Sequence, residues 1–162
     1  MPVRRAEAEW KGKLIEGSGR LKLSSGAFEG PYSVKSRIEE GQSATNPEEL
    51  LGAAHAGCFT MAVTMQLSRK RITPRRIRTI ANVEVDKVGD GFAITRIELQ
   101  MEADVPGIDE RAFQAIPLEA KQKLPHFESA GRNRDSSDHK AAHDRFCGKL
   151  HQFHKTWHPA AV

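Results

Sequence analysis

The segment from Thr45 to Phe59, Thr-Asn-Pro-Glu-Glu-Leu-Leu-Gly-Ala-Ala-His-Ala-Gly-Cys-Phe, constrains this 162-residue chain more than any other. It opens with helix-entry signals. Asn46 is a good cap, Pro47 suits the first helical position, and Glu48 and Glu49 favour the positive end of the helix dipole. Leu51, Ala54, Cys58, Met61 and Met65 then recur at three- and four-residue steps, which places Cys58 in an apolar stripe. The residues between them, Ala53, Ala56, Phe59, Ala62 and Val63, are also small or apolar. A helix apolar on nearly all sides is expected to be buried on most of them. One small sheet cannot supply that cover.

Cys58 has two readings. Free cysteine is among the most buried residue types, so a structural thiol is the plain one. A reactive thiol needs a lowered pKa, from a helix N-terminus or a nearby cation. Cys58 lies three turns into the helix, too deep for the terminus to act strongly. The cation must come from elsewhere, and Arg37, expected on the strand before the helix, is the best-placed candidate. Glu48 is placed to orient its guanidinium.

The segment resembles the OsmC/Ohr family of thiol-dependent hydroperoxide reductases, and its OsmC branch in particular. The resemblance extends over Trp10-Lys11-Gly12, Pro31-Tyr32, Arg37 and the whole Cys58 helix. It continues through Thr73-Pro74, Val85-Asp86-Lys87, Gly91-Phe92-Ala93-Ile94-Thr95 and Val105-Pro106-Gly107-Ile108-Asp109. It implies an α+β, OsmC-like fold: antiparallel sheets wrapped around a long central apolar helix in an intertwined homodimer, with the active site at the subunit interface. It also implies roles. The residue matching Cys58 is the peroxidatic thiolate, the one matching Arg37 stabilises it, and the one matching Glu48 pairs with that arginine. The expected substrate is an organic hydroperoxide, suited by the Met- and Phe-bearing helix. The expected co-substrate is a dithiol reductant, with no cofactor and no metal.

The family resolves the resulting sulfenic acid with a second cysteine, in a Cys-Pro-x-Ser motif that opens its last helix. This chain reads Lys123-Leu124-Pro125-His126-Phe127-Glu128-Ser129-Ala130-Gly131 at that place. With permitted codons (AAA CTG CCC CAT TTC GAA AGC GCT GGC), the next frame encodes Asn-Cys-Pro-Ile-Ser-Lys-Ala-Leu-Ala, which contains the missing motif. Residues from about Lys123 onward are therefore expected to come from a shifted frame. Composition changes at the same point. Six of the seven histidines lie in residues 123–162, which contain no Val or Ile before Val162. That tail holds seven Lys+Arg against four Asp+Glu and so carries most of the net charge of +4, which makes the basic balance weak evidence for a nucleic-acid partner. The division expected is an OsmC-like domain over 1–122 and an atypical His-rich, poorly ordered tail over 123–162.

Within the tail, His139 with His143, and His151 with His154 and His158, have helical metal-ligand spacing around Cys147. A solvated tail explains them more simply, because a metal site also needs an ordered second shell. Cys147 could resolve Cys58 only if the fold brought it there. Two cysteines so far apart do not make a disulfide scaffold. With no N-terminal apolar region and no long apolar run recognised, neither export nor membrane insertion is expected, and the location expected is cytoplasmic.

The layout expected is strands near 7–15, 19–25 and 31–38, with turns at Gly17–Gly19 and Gly26–Gly30, then the helix from 47 to about 69. Its basic end, Arg69-Lys70-Arg71, suits the negative helix terminus better than nucleic acid. Strands near 76–88 and 92–105 follow, joined across Gly89-Asp90-Gly91, with Ile97, Leu99, Met101, Ala103 and Val105 on one face. A last helix begins at a cap, Asp109, runs to Gln122, and is kinked or interrupted by Pro117. Two functions are open: a cysteine peroxidase acting on organic hydroperoxides, and a non-enzymatic member of the fold that binds an apolar ligand at the dimer interface.

Overall fold

Asn46 starts the central helix as its sequence suggests. Its Oδ1 accepts from the Glu49 backbone N–H at 2.8 Å, and α2 then runs unbroken from Pro47 to Arg69. The helix stops where Arg71 turns left-handed (φ 58°), with the Arg71 N–H on the Ser68 carbonyl and the Ile72 N–H on the Leu67 carbonyl. The computed structural model describes residues 2–39, 41–122 and 149–155 and divides into two compact units, Met1–Leu51 and Gly52–Val162.

In the first unit, β1 (Ala6–Lys11), β2 (Ser18–Leu23) and β3 (Glu29–Tyr32) form an antiparallel sheet in chain order. The first strand ends earlier than position 15. Gly12 turns to φ 90°, its carbonyl accepts the Trp10 indole N–H, and Gly17 N–H closes the loop onto the Lys13 carbonyl. Gly19 is not a turn residue but lies inside β2, opposite Trp10 and Tyr32. A Cβ there would come within 2.3 Å of the Tyr32 ring, so the close approach demands glycine. The third strand is also shorter than expected. It stops at Tyr32, and Val34–Ile38 forms a short helix, α1, which places Arg37 on a helix rather than a strand. The cause is a reciprocal cap: the Ser33 hydroxyl accepts from the Ser36 N–H, and the Ser36 hydroxyl accepts from the Ser33 N–H.

In the second unit, β4 (Arg76–Val88) and β5 (Gly91–Asp104) pair antiparallel across the two-residue turn Gly89-Asp90, with Gly89 at φ 62°. Ile97, Leu99, Met101, Ala103 and Val105 are all buried, as their alternation requires. Two contacts fix the remainder of α2 along β4. The Cβ position of Gly52 lies 3.3 Å from Val83 Cγ2, and the hydroxyls of Thr60 and Thr79 are 2.7 Å apart. Eight residues of helix rise about 12 Å and four residues of strand about 13 Å, so helix and strand run side by side in opposite directions. The last helix, α3, spans Glu110–Gln122 behind its Asp109 cap, whose Oδ1 accepts from the Ala112 N–H at 2.7 Å. It runs through Pro117 without interruption, because Phe113, Ile116, Pro117 and Ala120 are all buried and hold both sides of the proline in place. A further strand, β6 (Lys149–Lys155), pairs parallel with β5, where no strand is expected from the sequence of the tail. The rest of the tail, including His126, His139, His143, Cys147 and His158, lies outside the described residues, as do the side chains of His151 and His154.

Candidate active site

Arg37 and Glu48 are brought together as their sequence positions suggest, by a scaffold that the sequence did not advertise. Ser36, buried in α1, donates its hydroxyl to the Thr45 carbonyl at 2.8 Å, and its own carbonyl accepts from Asn46 Nδ2 at 3.1 Å. Thr45 N–H is bound to the Pro31 carbonyl, and its hydroxyl donates to Glu49. The short helix is thus fastened to the cap of α2, and the next residue along each element forms the ion pair. Arg37 Nε and Nη2 both donate to Glu48 Oε1, at 2.9 and 2.7 Å. The arginine side chain is 48% exposed and that of the glutamate only 14%. The carboxylate is therefore a fixed base that aims the guanidinium, whose Nη1 makes no hydrogen bond among the described residues. The other glutamate oxygen, Oε2, is buried without a hydrogen-bond partner there. Ser33 and Ser36 are the positioning residues that sequence reasoning missed. Their spacing matches a capping box, but serine at the third helical position is a weaker signal than glutamate or glutamine.

Cys58 belongs to the second unit and is a free, partly exposed thiol. This corrects the expectation of a helix buried on most sides. The side of α2 that faces the core carries Gly52, His55, Phe59, Ala62, Val63, Gln66 and Leu67. The stripe that contains Cys58 lies on the other side. Ala54 is exposed, Met61 is 74% and Met65 43% exposed. Apolar residues occupy both faces, but one sheet covers only one of them. The thiol stands at the border, reachable and flanked by thioethers and small residues. The 23 residues of α2 are also long and apolar enough to cross a membrane by length and composition alone, contrary to the reading that no such run exists. A core helix passes the same test, and the packing of α2 on β4 makes it one. Among the described residues no group of His, Cys, Asp and Glu side chains could hold a metal ion.

Comparison with known proteins agrees with this architecture. The family model for OsmC-like protein matches residues 40–133. The chain is 45% identical over 123 residues to the peroxiredoxin OsmC of Escherichia coli K12, covering 75% of this chain and 85% of that protein. It is 28% identical over 119 residues to an organic hydroperoxide resistance protein of Xanthomonas axonopodis pv. citri, covering 72% of this chain and 82% of that one. Among solved structures, an OsmC-like protein from Mycoplasma pneumoniae shares the fold with a TM-score of 0.59 at 16% identity, over 96% of both chains. The α+β arrangement of antiparallel sheets and a long apolar helix is the one those proteins share, and the chain belongs to the OsmC-like family.

Proposed function

We propose that this protein is a cysteine-based peroxidase that reduces organic hydroperoxides, with Cys58 as the attacking thiolate, Arg37 as its activating cation and Glu48 as the group that aims Arg37. The observation that carries this reading is a part-exposed thiol on the open face of α2, in a chain 45% identical to a protein named as a peroxiredoxin. The Arg37–Glu48 pair supports it, because a guanidinium held by a mostly buried carboxylate keeps donors in a fixed direction. In the first step the Cys58 thiolate attacks the terminal peroxide oxygen. The S–O bond forms, the O–O bond breaks, and the alkoxide leaves and takes up a proton to become an alcohol. The sulfur is left oxidised as a sulfenic acid. A dithiol then reduces it, releasing water and returning the thiol, which suits a reducing compartment such as the cytoplasm.

The working form is a homodimer in which a second copy covers the open face of α2. Every buried apolar side chain among the described residues belongs to the second unit. The first unit exposes Leu14, Ile15, Leu23 and Ile38, and α2 exposes Met61 and Met65. Apolar surface of this kind is stabilised by association. The alternative of a non-enzymatic protein that binds an apolar ligand gains no support from relatives named for peroxiredoxin activity and hydroperoxide resistance. The test is a thiol count on the full chain after one equivalent of cumene hydroperoxide. Rapid loss of the Cys58 thiol with release of one equivalent of alcohol is expected. A Cys58 that stays reduced while hydroperoxide persists would overturn the reading.

A further inference from the structure

His55 is the one buried titratable side chain among the described residues of the second unit, and the chemistry above leaves it unused. It is 6% exposed and lies three residues before Cys58 on α2. At about 100° per residue the two side chains stand roughly 60° apart around the axis, with Cβ atoms about 5–6 Å apart. Both lean toward the helix N-terminus, so they run alongside each other. The wheel puts His55 on the edge of the buried face nearest Cys58, and Cys58 on the edge of the open face nearest His55. A buried ring therefore adjoins a reachable sulfur.

The surroundings contain no competitor for this pairing. Thr79, Ala81 and Val83 of β4, and Ile97, Leu99 and Met101 of β5, lie on the sheet face that meets α2, and none titrates. Phe113, Ile116, Pro117 and Ala120 of α3 carry no charge either. Along α2 itself the nearest charged residues are Glu48 and Glu49 upstream and Arg69 downstream. An isolated imidazolium is costly in such a setting, and so is an isolated thiolate. Formed together as a pair, each charge offsets the other, which is how a histidine activates a neighbouring thiol.

We propose, resting on the peroxidase reading, that His55 holds the proton of Cys58 through the reaction cycle. The neutral imidazole takes the thiol proton, which leaves thiolate beside imidazolium. The thiolate attacks the hydroperoxide, the O–O bond breaks, and the imidazolium returns its proton to the leaving alkoxide as the alcohol departs. His55 ends neutral, Cys58 ends as the sulfenic acid, and no further reactant is needed.

The test is the pH profile of Cys58 alkylation by iodoacetamide in the full chain, read by peptide mass spectrometry so that Cys147 does not interfere. His55→Asn is expected to lower the rate at pH 7 by about tenfold and to move the half-maximal pH upward, with a parallel fall in the rate of reaction with cumene hydroperoxide. An unchanged profile in a folded variant overturns the proposal. A second measurement does not depend on that variant folding. In 15N-histidine-labelled protein, Cys58→Ser should lower the pH at which the His55 ring titrates, because the thiolate that favours imidazolium is gone. A His55 titration indifferent to Cys58→Ser also overturns it. Failure of the peroxidase reading looks different: Cys58 would show the His55-dependent alkylation profile yet leave hydroperoxide unconsumed.

Discussion

Arg37 and Glu48 divide the work of one charge. The guanidinium is half in solvent, and a freely exposed arginine would spread its direction over many rotamers. Two N–H bonds to a single carboxylate oxygen remove that freedom. Arg37→Met should therefore slow the reaction of Cys58 with hydroperoxide by about two orders of magnitude, the scale of losing one oriented donor at a site of developing charge. Stopped-flow loss of the thiol measures it, and an unchanged rate removes Arg37 from the chemistry. Glu48→Gln should cost less, because the amide oxygen still accepts while the charge is lost. Cys58→Ser should abolish hydroperoxide consumption without altering the far-ultraviolet circular dichroism, since the exchange is nearly isosteric at a half-open position. Consumption that survives the change would place the chemistry elsewhere.

At the scale of elements, the caps decide where function can be placed. Ser36 closes the cap of α1 and also ties that helix to Thr45 and Asn46 at the head of α2. Ser36→Ala should lower stability by about 1 kcal/mol as a lost cap, measured as a shift in the urea midpoint. It should slow Cys58 as well, since the Arg37 guanidinium loses its mounting. Loss of stability with unchanged thiol reactivity would separate the cap from the site. Strong periodicity made most of this layer legible in advance. Pro47 to Arg69, Asp109 as a cap, and the alternation of Ile97, Leu99, Met101, Ala103 and Val105 could be read from order alone. What could not be read was local. A serine-for-serine cap turned an expected strand into α1, a ring–backbone contact drew Gly19 into β2, and packing carried α3 through Pro117. Each depends on a tertiary neighbour that no window of sequence contains.

For the whole molecule, the open side of α2 is the clearest consequence of having apolar residues on both faces of one helix. In the dimer we propose, Met61→Asp places a charge where a second copy should bury its apolar surface. Sedimentation should then show a shift from dimer to monomer, with hydroperoxide reduction lost even though Cys58 is intact. A dimer that persists at micromolar concentration would mean that another surface joins the subunits. The chain beyond Lys123 governs what happens after the first turnover. Cys58 needs a second thiol to capture its sulfenic acid before another peroxide does, and the position where the OsmC-like pattern supplies one reads Lys-Leu-Pro-His instead. The match to the Escherichia coli relative leaves a quarter of this chain outside it, as a shifted frame from Lys123 would. Intact-mass spectrometry after excess cumene hydroperoxide should therefore show two or three added oxygens, since a sulfenic acid left uncaptured proceeds to the sulfinic and sulfonic states. Loss of two hydrogens would instead report a Cys58–Cys147 disulfide and give the tail a resolving role. Sequencing the gene across codon 123 tests the frame directly, and codons that cannot yield Cys-Pro in the neighbouring frame exclude the shift. If the frame is shifted, a chain expressed with it restored should close its own disulfide, stop at that state in excess peroxide, and turn over repeatedly with a dithiol.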